Sequence, residues 1–201
     1  MTRSRVSAEG FSLLAQAIKK SAGLEEVGLI AQQIDAKRAH LVADVISSNP
    51  NLRVVRLDRN LLDDNATAIL AHSLVKSNVE TLILDDNKIS DSGAKALAVV
   101  IANGRLKSIS LANNKIKVLG ASAIATALKH DHSHVTEVSL SGNGIPRAGG
   151  EELKEALELV KRLVKFDMRG NWFSAPTLKK IKQIMKLRRK NKKDVSDLIK
   201  R

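Results

Sequence analysis

The stretch Leu106-Lys-Ser-Ile-Ser-Leu-Ala-Asn-Asn114 decides the fold, because the chain repeats it. Before it come Val79-Glu-Thr-Leu-Ile-Leu-Asp-Asp-Asn87 and Leu52-Arg-Val-Val-Arg-Leu-Asp-Arg-Asn60; after it come Val135-Thr-Glu-Val-Ser-Leu-Ser-Gly-Asn143 and Leu163-Val-Lys-Phe-Asp-Met-Arg-Gly-Asn171. A sixth segment, Leu24 to Gln32, obeys the same pattern with Gln32 in the Asn position. The segments start at 24, 52, 79, 106, 135 and 163, in steps of 28, 27, 27, 29 and 28 residues. A fixed period of this length is the mark of a repeat architecture. Within each copy two aliphatic residues stand two apart (Val55 and Leu57, Leu82 and Leu84, Ile109 and Leu111), which puts them on one face of a short strand. The Asn that follows carries donors and an acceptor on one side chain. Asn60, Asn87, Asn114, Asn143 and Asn171 are therefore expected to satisfy turn backbone and to form a ladder along the array. Two residues on comes another aliphatic or aromatic (Ile34, Leu62, Ile89, Ile116, Ile145, Phe173). Apolar positions at helical spacing follow, such as Ala94, Leu97, Ala98 and Ile101.

The pattern L-x-x-L-x-L-x-x-N, with I-x-x-x-G-A-x-A-L/I-A at Ile89–Ala98 and Ile116–Ala125, resembles the ribonuclease-inhibitor-like subfamily of leucine-rich repeats. The resemblance covers nearly the whole chain. It implies an α/β fold, a right-handed solenoid with parallel strands on a concave face and helices on a convex one. The expected organisation is an array over residues 1–187, with a helical cap at 1–23 and six strand–helix repeats at 24–187, and then a basic arm at 188–201.

Terminal repeats need caps, since a repeat cannot bury its own apolar face. Val6, Gly10, Leu14 and Ile18 match Ile34, Arg38, Val42 and Ile46 one repeat later, so the chain begins on the helical half of a repeat. The same residues, with Arg3, Arg5, Lys19 and Lys20, also fit a mitochondrial presequence. At the other end Phe166, Trp172 and Phe173 are three of the chain's four aromatics and are expected to close the core; a partner contact is the second reading of Trp172.

Cysteine is absent, which excludes disulfides and thiolate chemistry and favours a reducing, cytoplasmic setting. No apolar run reaches the length of a membrane helix, so no membrane partner is expected. The net charge of +13 is uneven, for residues 179–201 hold eleven Lys and Arg against Asp194 and Asp197. Lys186, Arg188, Arg189, Lys190, Lys192 and Lys193 form the core of a basic arm, read either as a solvated helix end or as an electrostatic contact to an acidic protein or to phosphate.

Strand residues facing away from the core should line the concave surface. They are Arg56 and Asp58, Ile83 and Asp85, Ser110 and Ala112, Ser139 and Ser141, and Asp167 and Arg169, with Arg59 and Asp86 at the rim. This face is charged at both ends and small in the middle. It reads as a partner-binding surface or as solvated strand with cross-strand pairs such as Arg56 beside Asp85.

The sequence offers no catalytic constellation or phosphate loop, so neither an enzyme nor a cofactor is expected. His130, His132 and His134 alternate in a way that fits a metal site or a plain surface turn. Glu151, Glu152, Glu155 and Glu158 run along a helix among Lys154, Lys161 and Arg162 as a solvated, ion-paired face. The basic tail departs from the acidic surface of ribonuclease inhibitor and the acidic tail of the Ran GTPase-activating protein. Leu163-Val-Lys-Phe166, a Pro and a basic last helix are similar to the end of the tropomodulin and leiomodin repeat domain, which implies actin or another acidic cytoskeletal partner. The alternatives are a ribonucleoprotein component touching RNA backbone through the arm, and a regulatory module for a soluble protein. A monomer is expected.

Overall fold

The computed structural model describes residues 6–21 and 23–199, with side chains through residue 188. Helix and strand alternate throughout: α1 (Ala8–Lys19), β1 (Glu26–Gly28), α2 (Ala36–Ser48), β2 (Val54–Arg56), α3 (Asp64–Leu74), β3 (Thr81–Ile83), α4 (Asp91–Asn103), β4 (Ser108–Ser110), α5 (Val118–Lys129), β5 (Glu137–Ser139), α6 (Arg147–Leu159), β6 (Lys165–Asp167) and α7 (Ala175–Ile199). Each strand begins two residues into its repeat. All six form one parallel sheet in the order β1-β2-β3-β4-β5-β6. The register places Val27, Val55, Leu82, Ile109, Val138 and Phe166 in one line, and every one of them is buried. Each helix packs on the helices before and after it, α1 on α2 only. The architecture is the solenoid that the repeat implies.

A three-residue strand cannot hold its neighbours by ladder bonds alone, and the Asn side chains supply the rest. Asn114 Oδ1 accepts the Ile89 N–H (3.0 Å), while its Nδ2 donates to the carbonyls of Leu84 (3.0 Å), Leu111 (3.2 Å) and Ala112 (3.2 Å). Asn87 and Asn143 do the same one repeat away, and Asn60 and Asn171 close the series at its ends. Each amide thus ties its own turn to the repeat before it. The residue ahead of each Asn takes a positive φ, at Arg59, Asp86, Asn113, Gly142 and Gly170. Asp, Asn and Gly tolerate that conformation best. At Gly142 a Cβ would also stand 2.1 Å from the Asn113 amide oxygen.

Two end-cap expectations change. Leu14, matched with Val42, is 37% exposed, and the buried residues of α1 are Phe11 and Ala15. α1 has a helix on one side only, so the face bearing Leu13 and Leu14 has nothing to pack on among the described residues. Trp172 is 71% exposed, whereas Phe166 and Phe173 are buried as a cap should be. The aligned residues of earlier repeats, Leu61, Lys88 and Lys115, are exposed too. At this position the backbone N–H bonds the previous repeat (Trp172 N to Ile145 O, 2.9 Å) and the side chain faces out. The Trp172 ring lies over Gly144 beneath the Lys117 ammonium, 5.2 Å from its centroid.

Asn114→Ala strands the buried Ile89 N–H, at a cost of about 1–3 kcal/mol, while the carbonyls of Leu84, Leu111 and Ala112 each keep a second donor in Asn87, Asn143 and the Asp86 N–H. The variant should lose about 1–3 kcal/mol in urea unfolding. A loss under about 1 kcal/mol would show that the ladder is dispensable.

Candidate partner-binding surfaces

Much of the charge on the strand residues expected to line the concave face is already engaged. Asp167 binds Arg169 two residues on through both carboxylate oxygens (2.9 and 2.7 Å). The Arg169 guanidinium, outweighing partial burial, holds the Asp167 carboxyl below its ordinary value. Arg56 leans on Asp58 of its own repeat, two residues on (3.9 Å), and not on Asp85; its register partner is Ile83. Asp85 instead accepts the Ser110 hydroxyl (2.6 Å) and the Ala112 N–H (2.7 Å). At the rim Arg59 approaches Asp86 (3.9 Å), which also takes the Asn113 amide (3.0 Å). In the centre the hydroxyls of Ser139 and Ser141 hydrogen-bond each other (3.4 Å). Ile83, Ser110, Ser139 and Asp167 border a shallow trough of about 330 Å³. This face can take a close-fitting polar or small apolar surface and has little unpaired charge to offer at its ends.

α7 carries a row of exposed lysines. Lys179, Lys182 and Lys186 are exposed, and among the described residues Lys180 alone of the α7 lysines through Lys186 has an acidic neighbour, Glu158 at 3.7 Å. Arg188 corrects the expectation of a free arm starting there. It continues the buried stripe of Ile181 and Met185 at helical spacing and turns inward, with Nη1 donating to the Leu163 carbonyl (2.9 Å) and Nη2 to Leu157. Burial pushes its guanidinium below the ordinary value. Arg162 braces the carbonyls of Leu128 and His130 in the same way one repeat earlier. The side chains of Arg189, Lys190, Lys192 and Lys193 lie outside the described residues. Their backbone is helical, for α7 runs unbroken to Ile199.

The histidine segment is a surface turn. His130 and His132 have ring centroids 5.4 Å apart, and among the described residues no cluster of His, Asp or Glu could hold a metal. Of the acidic row on α6, Glu151 pairs with Lys154 (2.6 Å) and accepts the Thr177 hydroxyl, tying α6 to α7; Glu152 takes Ser122 of α5 (2.8 Å). No helix among the described residues is long and apolar enough to cross a membrane.

Asp64 and Asp91 escaped the sequence reading. The N-cap of α4, Ser90, makes no capping bond with its own side chain, and that of α5 is Lys117. The caps come from the preceding repeat. Asp64 Oδ1 accepts the N–H groups of Ser90 (2.7 Å) and Gly93 (2.9 Å), and Asp91 Oδ1 those of Lys117 (2.6 Å) and Gly120 (2.9 Å). Glycine is required beneath them: a Cβ on Gly120 would lie 2.7 Å from the Asp91 carboxylate and 2.9 Å from Ala94. The signal was available as Asp followed 29 residues later by Gly, twice in succession.

Fold and contacts together define a leucine-rich-repeat protein. The leucine-rich-repeat sequence profile matches residues 75–98 and 105–125. No curated protein matches the chain in sequence. Among solved structures, the actin-binding site 2 of leiomodin-1 superposes with a TM-score of 0.56 at 15% identity, covering 96% of this chain and 98% of that one. The C-terminal domain of tropomodulin from Caenorhabditis elegans gives 0.56 at 10% identity, covering 94% and 98%. At such identities the likeness is one of fold.

Burial raises the Asp64 carboxyl, but the Ser90 hydroxyl and the Ser90 and Gly93 amides outweigh it and leave the group below its ordinary 3.8. A carboxyl depressed by folding stabilises fully above its unfolded value, and that stabilisation is lost as pH falls through the folded one. Unfolding midpoints measured from about pH 5 to about pH 2 should therefore fall less steeply in Asp64→Asn than in the parent. Identical slopes would sever the link.

Proposed function

We propose that this chain is a non-catalytic, cytoplasmic binding scaffold for an acidic cytoskeletal polymer, with actin filaments as the first partner to test. The observation that carries the reading is the lysine face of α7, continued by sequence into Arg189–Lys193, beside a concave sheet whose Arg56, Arg59 and Arg169 each lie within 3.9 Å of an aspartate. Long-range attraction then comes from the helix, and close fit from the serine-lined trough. Electrostatic attraction raises association rate, while desolvated contacts set residence. Leiomodin-1's superposed domain is named as an actin-binding site, and its span matches this chain almost end to end, which supports the choice of polymer. The extended row of positive charge also supports a second reading, in which the helix contacts RNA phosphates.

Co-sedimentation of the full chain with actin filaments separates the two. Pelleting should be saturable, weakened at least tenfold by the triple change Lys179→Glu, Lys182→Glu, Lys186→Glu, and weakened by Ser139→Trp, which fills the trough. Absence of pelleting, or pelleting unchanged by both variants, overturns the reading. If single-stranded RNA binds instead, its log affinity should fall with log salt by about 0.7 for each phosphate contacted.

A further inference from the structure

β6 ends the sheet, and its outer edge has no strand beside it among the described residues. The repeat shows which backbone groups that edge presents. In β5 and its flanks the Thr136 carbonyl accepts from Val164 and Lys165, the Leu140 N–H donates to Asp167, and the Gly142 N–H donates to Arg169. One repeat on, the equivalents are the Val164 carbonyl and the N–H groups of Met168 and Gly170, and none of these finds a strand to bind. Unpaired edge groups are a template for another strand.

The same edge borders a concavity of about 660 Å³ between β6 and α7. Phe166 and Met168 form its strand wall, and Leu178, Ile181 and Met185 its helix wall. In every earlier repeat the next strand covers this position. Lys165, Lys182 and Lys186 stand on the rim; of these only Lys165 has an acidic neighbour, Glu137 at 3.4 Å.

We propose that this edge and cleft bind an extended acidic segment of a partner protein as a seventh strand. The segment carries two apolar residues at i and i+2, with carboxylates on either side of them. Alternation along a strand sends the apolar pair into the cleft against Phe166, Met168 and Met185, while backbone pairs with Val164, Met168 and Gly170. The flanking acids meet Lys165, Lys182 and Lys186. Charge complementarity selects this occupant over Met1–Arg5 and Lys200–Arg201, whose charged side chains are all positive. A second copy fits poorly as well. The helix layer begins with α1 ahead of β1, so a head-to-tail neighbour would set its α1 against α7 and leave a space one strand wide, about 4.8 Å, beside β6. The inference goes beyond the cytoskeletal reading and does not rest on it.

The test is fluorescence anisotropy of the full chain with a capped, labelled Glu-Ile-Thr-Val-Glu peptide. Two N-methylated forms accompany it, blocking alternately one backbone edge and the other. Binding should be saturable, lost at least tenfold on methylating one edge and nearly unchanged on methylating the other. The exposed double change Lys182→Glu, Lys186→Glu should weaken it at least fivefold, with the thermal midpoint of the protein held. No binding, equal loss from both methylated forms, or equal affinity for a Lys-Ile-Thr-Val-Lys peptide would each overturn the proposal.

Discussion

One hydrogen-bonding pattern underlies the molecule: a buried side-chain amide that accepts from the repeat behind it and donates to carbonyls of both repeats. Strands of three residues offer too few ladder bonds to fix register, and sheets so narrow could slide or splay. The Asn series removes that freedom by accepting a turn N–H that burial would otherwise leave stranded and by donating across to carbonyls of both repeats. It sets the spacing between turns, which aligns the inner aliphatic row and determines where each helix can start. Core, concave trough and exposed terminal edge all inherit their geometry from it.

The helix layer follows the same logic of borrowing. α4 and α5 take their N-terminal caps from carboxylates of the repeat before. The last carbonyls of α5 and α6 are met by arginines of the repeat after. Satisfaction of each helix end therefore depends on a neighbour, which is why local propensity alone explains so little here; Lys117 would be a poor cap were it acting by itself. Contacts remain between adjacent repeats, as expected of a quasi-linear array.

Much of this was legible because period is a property of sequence. Strand positions, the inner row and the Asn series all follow from aligning the repeats. The failures came from reading residue character before residue position. Trp172 was assigned to the core for its size, although Leu61, Lys88 and Lys115 already marked its place as outward-facing. Arg188 was grouped with its basic neighbours, although it stands three residues after Met185 on the buried stripe. Leu14 aligned correctly with Val42, but alignment cannot show that one flank of a terminal helix lacks a neighbour. Arg169 and Asp167, two apart on one strand face, were read as available charges although that spacing lets them pair. The β6–α7 cleft was not legible, since it is the absence of a strand where the repeat would place one.

The inward turn of Arg188 gives the last helix two duties at once. The segment that carries the lysines is also the stopper that seals the aliphatic interior, held by carbonyls of Leu157 and Leu163. Anything that grips α7 in its docked position therefore also restrains unzipping from that end, because ligation of the folded form alone shifts the equilibrium toward it. Occupancy and endurance become thermodynamically coupled: an engaged molecule should resist proteolysis longer than an idle one, with no rearrangement of its shape.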